Sequence, residues 1–183
     1  MTSGTAYGGR NMGMPGKSGG ARRQGGFTLV ELLVTLSILA ILAVIAVPSF
    51  NEIALRSKLN SVANNFVASA YLARSEAIKR NAAVTLCASS DGGSCSGDWG
   101  DGWIVLAGGE VILTQAPMPT GYVLSGGDVT SIAFQPSGLR ANDDDAVLTL
   151  CRSAPAVGSQ KRTITVSASG RPSVEKEDAT SCP

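Results

Sequence analysis

The sequence predicts an α+β protein in which a long N-terminal helix packs on an antiparallel β-sheet head domain. Two observations lead to this prediction. Residues 27–50 are apolar or small apart from one charge, Glu31, and no glycine interrupts residues 27–80. After Asn81 the pattern changes to short β-type runs separated by turn residues, which is typical of antiparallel sheet rather than of βαβ units.

Residues 1–26 form a predicted leader that holds four basic residues, no acidic residue and many glycines and serines. This composition predicts a cytoplasmic segment without regular structure, because basic flanks stay on the cytoplasmic side of a membrane. Without the leader, 11 basic and 14 acidic residues remain, so the net charge is −3. The rest of the chain is therefore not expected to bind polyanions in bulk. A start at Met12 or Met14 would leave a shorter leader of the same kind.

The apolar segment 27–50 is expected to be a transmembrane helix. At about 1.5 Å per residue it covers a hydrocarbon core of roughly 30 Å. A carboxylate such as Glu31 costs roughly 2.5–3.5 kcal/mol inside a membrane segment and therefore needs a partner. If the chain were cut between Gly26 and Phe27, the new α-amino group would lie one helical turn from Glu31. The amine of a neighbouring copy would then neutralise the carboxylate.

The helix is expected to continue through residues 51–80, where apolar residues recur at the three–four spacing of an amphipathic helix. The predicted buried stripe consists of Leu59, Val62, Ala63, Phe66, Val67, Ala70, Ala73, Ala77 and Ile78. Pro48 is the only proline in 27–80 and predicts a kink where the helix leaves the membrane. The alternative is two helices broken at Pro48.

Residues 81–183 are expected to form the β-rich head, with turns rich in glycine and proline between its strands. The predicted strands are Ala83–Ala88, Trp103–Ala107, Val111–Gln115, Tyr122–Ser125, Ser131–Gln135, Ala146–Arg152 and Thr163–Ser167. Trp99 and Trp103 flank a Gly-Asp-Gly turn and are expected to anchor the core and its rim. Stacking on a ligand is the less favoured interpretation of the two tryptophans.

The four cysteines, an even number, predict two disulfides in an oxidising compartment. Three pairings are possible, and the favoured one joins Cys87 to Cys95 and Cys151 to Cys182. The chain has no histidine and no Cys-x-x-Cys spacing, which argues against a metal site, a Ser-His or Cys-His pair and an enzyme. An acidic run at residues 143–145 is expected to be a solvated turn rather than a calcium site. No cofactor is predicted.

The run Gly26-Phe27-Thr28-Leu29-Val30-Glu31-Leu32-Leu33 resembles the class III signal of type IV pilins and pseudopilins. The resemblance implies cleavage after Gly26 by a prepilin peptidase/methyltransferase, N-methylation of Phe27, and assembly with other pilins or pseudopilins into a helical filament. The alternatives are an ordinary signal anchor that carries a glutamate and a cleavable secretory signal. The apolar core of a secretory signal would be shorter, at roughly 7–15 residues.

Further stretches of the chain resemble the GspH/FimT group of minor pilins. They are 72–80, 84–87, 102–105, 163–166 and 169–171. The resemblance implies a pilin fold and a low-copy subunit that primes or caps a type IV pilus. It also implies a single pass through the bacterial inner membrane, in contact with its lipid, with the N-terminus cytoplasmic and the head periplasmic or, in the filament, extracellular. A minor pseudopilin of a type II secretion system is the alternative within the class.

A third function considered is DNA binding during natural transformation. Some FimT-like members bind DNA through a Gly-Arg-x-Arg pattern. The run 170–173 keeps the glycine and the first arginine, Arg171, but Ser173 replaces the second arginine. The candidate DNA-binding residues are Arg171, Arg162, Lys161 and Arg152, with Lys176 nearby. Acidic residues follow at Glu175 and Glu177, and one or two arginines would bind DNA weakly. A solvated strand end is the favoured interpretation of these residues.

Overall fold

The computed structural model describes residues 26–153, 160–178 and 182. The chain divides into two compact units, Met1–Val44 and Ile45–Pro183. Within the described residues, helix α1 (Leu29–Arg80) precedes all the strands, and a short 3₁₀ turn (Trp99–Asp101) follows the first of them. The strands are β1 (Val84–Ala88), β2 (Trp103–Ala107), β3 (Glu110–Gln115), β4 (Tyr122–Ser125), β5 (Ser131–Phe134), β6 (Ala146–Arg152), β7 (Lys161–Val166) and β8 (Pro172–Glu177).

Helix α1 begins two residues later than predicted because Thr28 caps its first turn. The Thr28 Oγ1 atom accepts a hydrogen bond from the Glu31 backbone N–H at 3.2 Å, and its carbonyl accepts one from the Leu32 N–H at 3.1 Å. A capping residue keeps non-helical backbone angles, so Phe27 lies outside the helix. The continuous helix predicted as far as Arg80 is present. The kink predicted at Pro48 stays a prediction.

The part of α1 that lies in the first unit exposes its apolar side chains around the whole helix. They are Leu29, Val30, Leu32, Leu33, Val34, Leu36, Ile38, Leu39, Ile41, Leu42 and Val44. In the described part of the chain, no helix is both long enough and apolar enough to cross a membrane. The predicted transmembrane character of residues 27–50 is therefore not confirmed.

The eight strands form two antiparallel sheets, where the sequence predicts one sheet. The first sheet has the order β3-β2-β1-β5 and the second has the order β4-β6-β7-β8. In the first sheet, Leu86 lies opposite Val105 on one side and Ile132 on the other. In the second, Leu148 lies opposite Ile164. Along the chain, β1, β2 and β3 belong to the first sheet and β4 to the second. Strand β5 then returns to the first sheet beside β1, and β6, β7 and β8 complete the second.

Strand β8 is absent from the predicted set because its sequence, Pro-Ser-Val-Glu-Lys-Glu, lacks a hydrophobic run. It pairs only with β7 and forms an edge of the second sheet. Proline and charged side chains are common on edge strands, where they discourage pairing with another chain. The polar composition of β8 therefore prevents its detection by a hydrophobicity pattern, and the same composition suits an edge strand.

The core of the second unit forms between the stripe of α1 and the two sheets. Leu59, Phe66, Ala70, Ala73 and Ala77 are fully buried on the helix, as predicted. The alanines leave room for close approach of the strands, because they carry only a methyl group. Two stripe positions differ from the prediction: Val67 is partly buried and Ile78 is 52% exposed.

Phe66 organises the aromatic part of this core. Its ring meets Trp99 and Trp103 edge to face, at centroid distances of 5.3 and 5.4 Å. Both tryptophans are buried, so neither is available to stack on a ligand. The Trp103 indole N–H donates to the Ser69 Oγ atom at 2.9 Å, which joins β2 to α1 through a buried hydrogen bond.

Replacing Ser69 by alanine is expected to reduce the free energy of unfolding by about 1–3 kcal/mol, because the buried Trp103 N–H would lose its acceptor. Ser75→Ala is the matched control on the same helix, since Ser75 is exposed and donates only to the Leu72 carbonyl. That variant is expected to change stability by about 0.5 kcal/mol or less. Urea unfolding of the full chain in detergent measures the free energy of unfolding of both variants. Equal losses of this free energy would contradict a stabilising role of the buried hydrogen bond.

Candidate functional site

The predicted processing site lies at the start of the described chain, immediately before α1. Residues 26–28 are not helical, and the Phe27 side chain is 80% exposed. A Cβ atom added to Gly26 would have no neighbour within 4 Å. The peptide bond between Gly26 and Phe27 is therefore accessible in the first unit.

Glu31 lies in the first turn of α1, on an exposed and otherwise apolar helix surface. The sequence Thr28-x-x-Glu31 is the signature of a capping box, and the Glu31 N–H is bound to Thr28 Oγ1. A carboxylate in the first turn also stabilises the helix dipole by about 0.3–1 kcal/mol. Glu31 therefore contributes to the start of its own helix, a role that the sequence analysis did not assign to it.

The structure pairs the four cysteines in the favoured way. Cys87 is bonded to Cys95 with a Cα–Cα distance of 5.5 Å, and Cys151 to Cys182 with a Cα–Cα distance of 5.7 Å. The first disulfide closes a tight loop after β1. The second fastens Cys182 to the end of the inner strand β6.

Asp91 organises the loop between Cys87 and Cys95. Its Oδ1 atom accepts hydrogen bonds from the backbone N–H groups of Gly93 and Ser94, both at 2.9 Å, and from the Ser89 hydroxyl at 3.1 Å. Its Oδ2 atom accepts one from the Ser94 hydroxyl at 2.7 Å. These bonds, that of the Ser94 hydroxyl above all, hold the pKa of Asp91 well below its usual range. The Ser-Ser-Asp-Gly-Gly run was the sequence signal for this turn.

The four candidate DNA-binding residues do not form one face. Arg171 is exposed in the turn after β7, whereas Lys161 and Arg162 lie at the beginning of that strand and Arg152 lies beside them at the end of β6. Arg171 lies opposite Ser167, five residues from Arg162 and six from Lys161 along the strand direction, which corresponds to about 17–20 Å.

The burial of these residues also differs from that of a nucleic-acid interface. Arg162 is 2% exposed, and the Lys161 ammonium pairs with the Glu177 carboxylate at 2.6 Å. Strand adjacency brings Arg152, Lys161 and Arg162 together at one end of the second sheet but does not bring the turn residue Arg171 there.

The acidic run 143–145 lies beside the buried Arg140. The Arg140 guanidinium donates to the Asp144 carbonyl and to the Val166 carbonyl, and Asp145 accepts from the Ala168 N–H at 3.0 Å. Burial lowers the pKa of Arg140, and the charges of Asp145 and Asp144 partly oppose that effect. Among the described residues, no group of His, Cys, Asp or Glu side chains has the arrangement of a metal site.

Two glycines allow α1 to approach the turns before β6 and β8. Gly138 and Gly170 both have positive φ, at 79° and 74°. A Cβ atom on Gly170 would overlap the Gly138 carbonyl oxygen and lie 3.3 Å from Arg74 Nε. Gly170 belongs to the Ser-Gly-Arg ending noted in the sequence, so the need for glycine there is steric.

Comparison with known protein families identifies the chain. The model of a family described as type II transport protein GspH matches residues 62–170, which is more than half of the chain. The chain belongs to this family. The GspH match covers the last third of α1 and the head as far as Gly170. A second model, of the prokaryotic N-terminal methylation motif, matches residues 21–47.

Solved structures show the same fold. Two crystal forms of the type IV minor pilin FimU of Pseudomonas aeruginosa strain PAO1 match this GspH-family chain at 23% identity. One gives a TM-score of 0.55 and covers 70% of this chain and 97% of FimU. The other gives 0.50 and covers 68% and 99%. No curated protein sequence matches the chain significantly.

The GspH family and the pilin fold are those of structural pilin subunits rather than of enzymes. The chain is thus a subunit of the minor pilin and pseudopilin class. Its methylation motif implies processing by prepilin peptidase and assembly with other pilins or pseudopilins. The family also implies a membrane-anchored assembly with the head in the periplasm.

Replacing Gly170 by alanine is expected to destabilise the head, because the new Cβ would overlap the Gly138 carbonyl. Gly127→Ala is the matched control: its φ is also positive, at 57°, but its surroundings are open. Both variants lose about 1–2 kcal/mol from the backbone conformation. Gly170→Ala is expected to lose at least about 1 kcal/mol more from the overlap. Equal losses of unfolding free energy in the two variants, measured by urea unfolding, would contradict the close approach of Gly170 to the Gly138 carbonyl.

The Asp91 carboxylate is expected to stabilise the head in a pH-dependent way. Since its pKa is lower in the folded state, the stabilisation is present above the unfolded pKa of about 3.9. It is lost as the pH falls from there through the folded value. Asp91→Asn is therefore expected to lower the thermal midpoint at pH 7, and the difference from the natural chain is expected to narrow below about pH 4. Asp128→Asn, in an exposed turn, is the control. A difference that stays constant between pH 7 and pH 3 would contradict the linkage.

Proposed function

We propose that the chain is a minor pilin that primes or caps a type IV pilus. The leader, residues 1–26, is removed by prepilin peptidase on the cytoplasmic side of the inner membrane, and Phe27 is then N-methylated. Residues 27–50 hold the subunit in the inner membrane and later in the filament core. The amphipathic segment 51–80 and the head, 81–183, stand on the periplasmic side.

The observation that carries this proposal is the placing of a single carboxylate in a long apolar segment, next to an accessible glycine–phenylalanine bond. Glu31 is the one charge in residues 27–50. A cut after Gly26 converts the Phe27 amide into an ammonium group four residues before Glu31. An ammonium group on a neighbouring subunit would offset the roughly 2.5–3.5 kcal/mol that an unpaired carboxylate costs in such surroundings. Glu31 would then set the register between subunits.

A type II secretion pseudopilus is the second candidate, and the description of the matching family favours it. The two systems differ in where the filament ends. A pilus subunit is recovered with filaments sheared from the cell surface, whereas a pseudopilus subunit stays with the cell envelope. DNA uptake has no comparable support, because Arg171 is separated from the other basic candidates.

The proposal is tested by Glu31→Gln in cells that hold the other subunits. The leader is still expected to be removed, because the Gly26–Phe27 bond is unchanged. Incorporation into filaments is expected to fall at least about tenfold, which corresponds to 1.4 kcal/mol. Glu175→Gln, on the exposed edge strand β8, is the control with the same loss of charge.

Immunoblotting of sheared filaments and of the envelope measures both variants. If the natural chain is present in sheared filaments and the Glu31→Gln variant is lost from that fraction only, the result supports the type IV pilus. A natural chain that is absent from sheared filaments but present in envelope assemblies favours type II secretion. Normal incorporation of Glu31→Gln would contradict the role given to the carboxylate.

A further inference from the structure

Basic side chains converge at the end of the second sheet where β6 ends and β7 begins. This group, called the basic cluster below, consists of the basic residues Arg56, Arg152, Arg162 and Lys176 and the neutral Gln160. All five lie in the second unit of the chain. Neither the pilin role nor the disulfides require such a concentration of positive charge.

The strand register places four members on the same face of the sheet. Arg162 lies opposite Lys176 of β8 and opposite Leu150 of β6. Arg152, two residues after Leu150, is therefore a diagonal neighbour of Arg162, at about 7–8 Å. Continuing the register by one residue places Gln160 opposite Arg152.

Helix α1 contributes the fifth member. The Arg162 Nε atom donates to the Asn60 Oδ1 atom at 3.1 Å, and its Nη1 atom donates to the Lys161 carbonyl at 2.8 Å. Arg56 lies one helical turn before Asn60, on the same side of α1. Burial, and after it the charge of Arg56, lowers the pKa of Arg162. Arg56 is thus close enough to Arg162 to act on its charge.

Two members carry polar atoms that lack hydrogen-bond partners. Gln160 is 3% exposed, and both its Nε2 and Oε1 atoms are buried without a partner. The Arg152 guanidinium lies over the Tyr122 ring at 5.9 Å, while its Nε and Nη1 atoms are buried without a partner. Buried polar groups in native proteins nearly always have a hydrogen-bond partner, so an unpartnered group points to water, an ion or a ligand.

We propose that the basic cluster binds the phosphate group of an anionic phospholipid. Guanidinium groups match phosphate in shape and charge and bind it through pairs of hydrogen bonds. The unpartnered donors of Arg152 and Gln160 would complete the site.

The position of Arg56 supports a lipid as the source of the phosphate. Arg56 follows Phe50 by six residues, or about 9 Å of helix. If residues 27–50 lie in the bilayer, which is the part of the proposed function on which this inference rests, the long side chain of Arg56 can reach the headgroups. The site would then fix the head to the membrane before assembly.

DNA fits the cluster less well than a single headgroup. Gln160 and Arg162 are almost completely buried, and a phosphate backbone is contacted by side chains that extend into solvent. A lipid phosphate reaches the cluster from its exposed member, Lys176, and from the half-buried Arg56, because one small group enters where a polymer does not.

The test uses the full chain in detergent, with native mass spectrometry to measure retained phosphatidylglycerol and phosphatidylcholine. The natural chain is expected to retain phosphatidylglycerol preferentially. Arg152→Gln is expected to weaken that retention about tenfold, the effect of losing a charge-assisted hydrogen bond of about 1.5 kcal/mol. Arg171→Gln removes the same charge at the other end of β7 and is expected to retain the lipid normally.

A second variant separates binding from folding. Gln160→Met replaces an unpartnered buried amide by an apolar side chain of similar size, so the thermal midpoint is expected to stay the same or rise. Retention of phosphatidylglycerol is nevertheless expected to fall. A purely structural Gln160 would lose stability and leave lipid retention unchanged.

Three outcomes would overturn the inference. The first is an equal loss of phosphatidylglycerol retention in Arg152→Gln and Arg171→Gln. The second is binding of inorganic phosphate as tightly as the lipid. The third is a short DNA duplex that displaces the lipid by binding to Arg152. Flotation with phosphatidylcholine vesicles is measured first. A chain that does not float contradicts the membrane anchor of the proposed function, whereas a chain that floats without preferring phosphatidylglycerol contradicts the lipid site alone.

Discussion

The packing of one alanine-rich helix face against two sheets is the constraint on which the rest of the head depends. Ala70, Ala73 and Ala77 are fully buried, and their small side chains allow the strands to come close to α1. The larger Phe66 fills the space between Trp99 and Trp103. Trp103 is also hydrogen-bonded to Ser69. Since a hydrogen bond is directional, it fixes the position of β2 along α1 in addition to the packing of the side chains.

The same helix meets two different requirements along its sequence. In residues 51–80 only one stripe is apolar, which suits a helix with one buried side. In residues 29–44 the apolar side chains surround the helix and are exposed, which suits a helix that is enclosed by lipid or by other subunits. Glu31 and the bond before Phe27 lie at the start of this second kind of surface. The chemistry proposed for assembly is therefore concentrated within one helical turn.

Periodicity and turn residues predicted much of the fold, because they report directly on burial and on backbone conformation. The stripe from Leu59 to Ala77 and seven of the eight strands follow from such patterns. The cysteine count predicted two disulfides and left three pairings open, of which the structure has the favoured one. Strand β8 does not follow from a pattern, since an edge strand is kept polar. The arginines also escaped prediction: the side on which Arg162 lies, and its distance from Arg171, depend on the register of β6, β7 and β8, which no local pattern encodes.

The central claim is that Gly26–Phe27 is a processing site, and the intact mass of the protein extracted from its native membrane tests it most directly. The account predicts the mass of residues 27–183 with one added methyl group, less four hydrogens for the two disulfides. A mass that still includes residues 1–26, in cells with an active prepilin peptidase, would contradict it. The apolar segment would then be an ordinary anchor, and Glu31 would have no ammonium partner at Phe27.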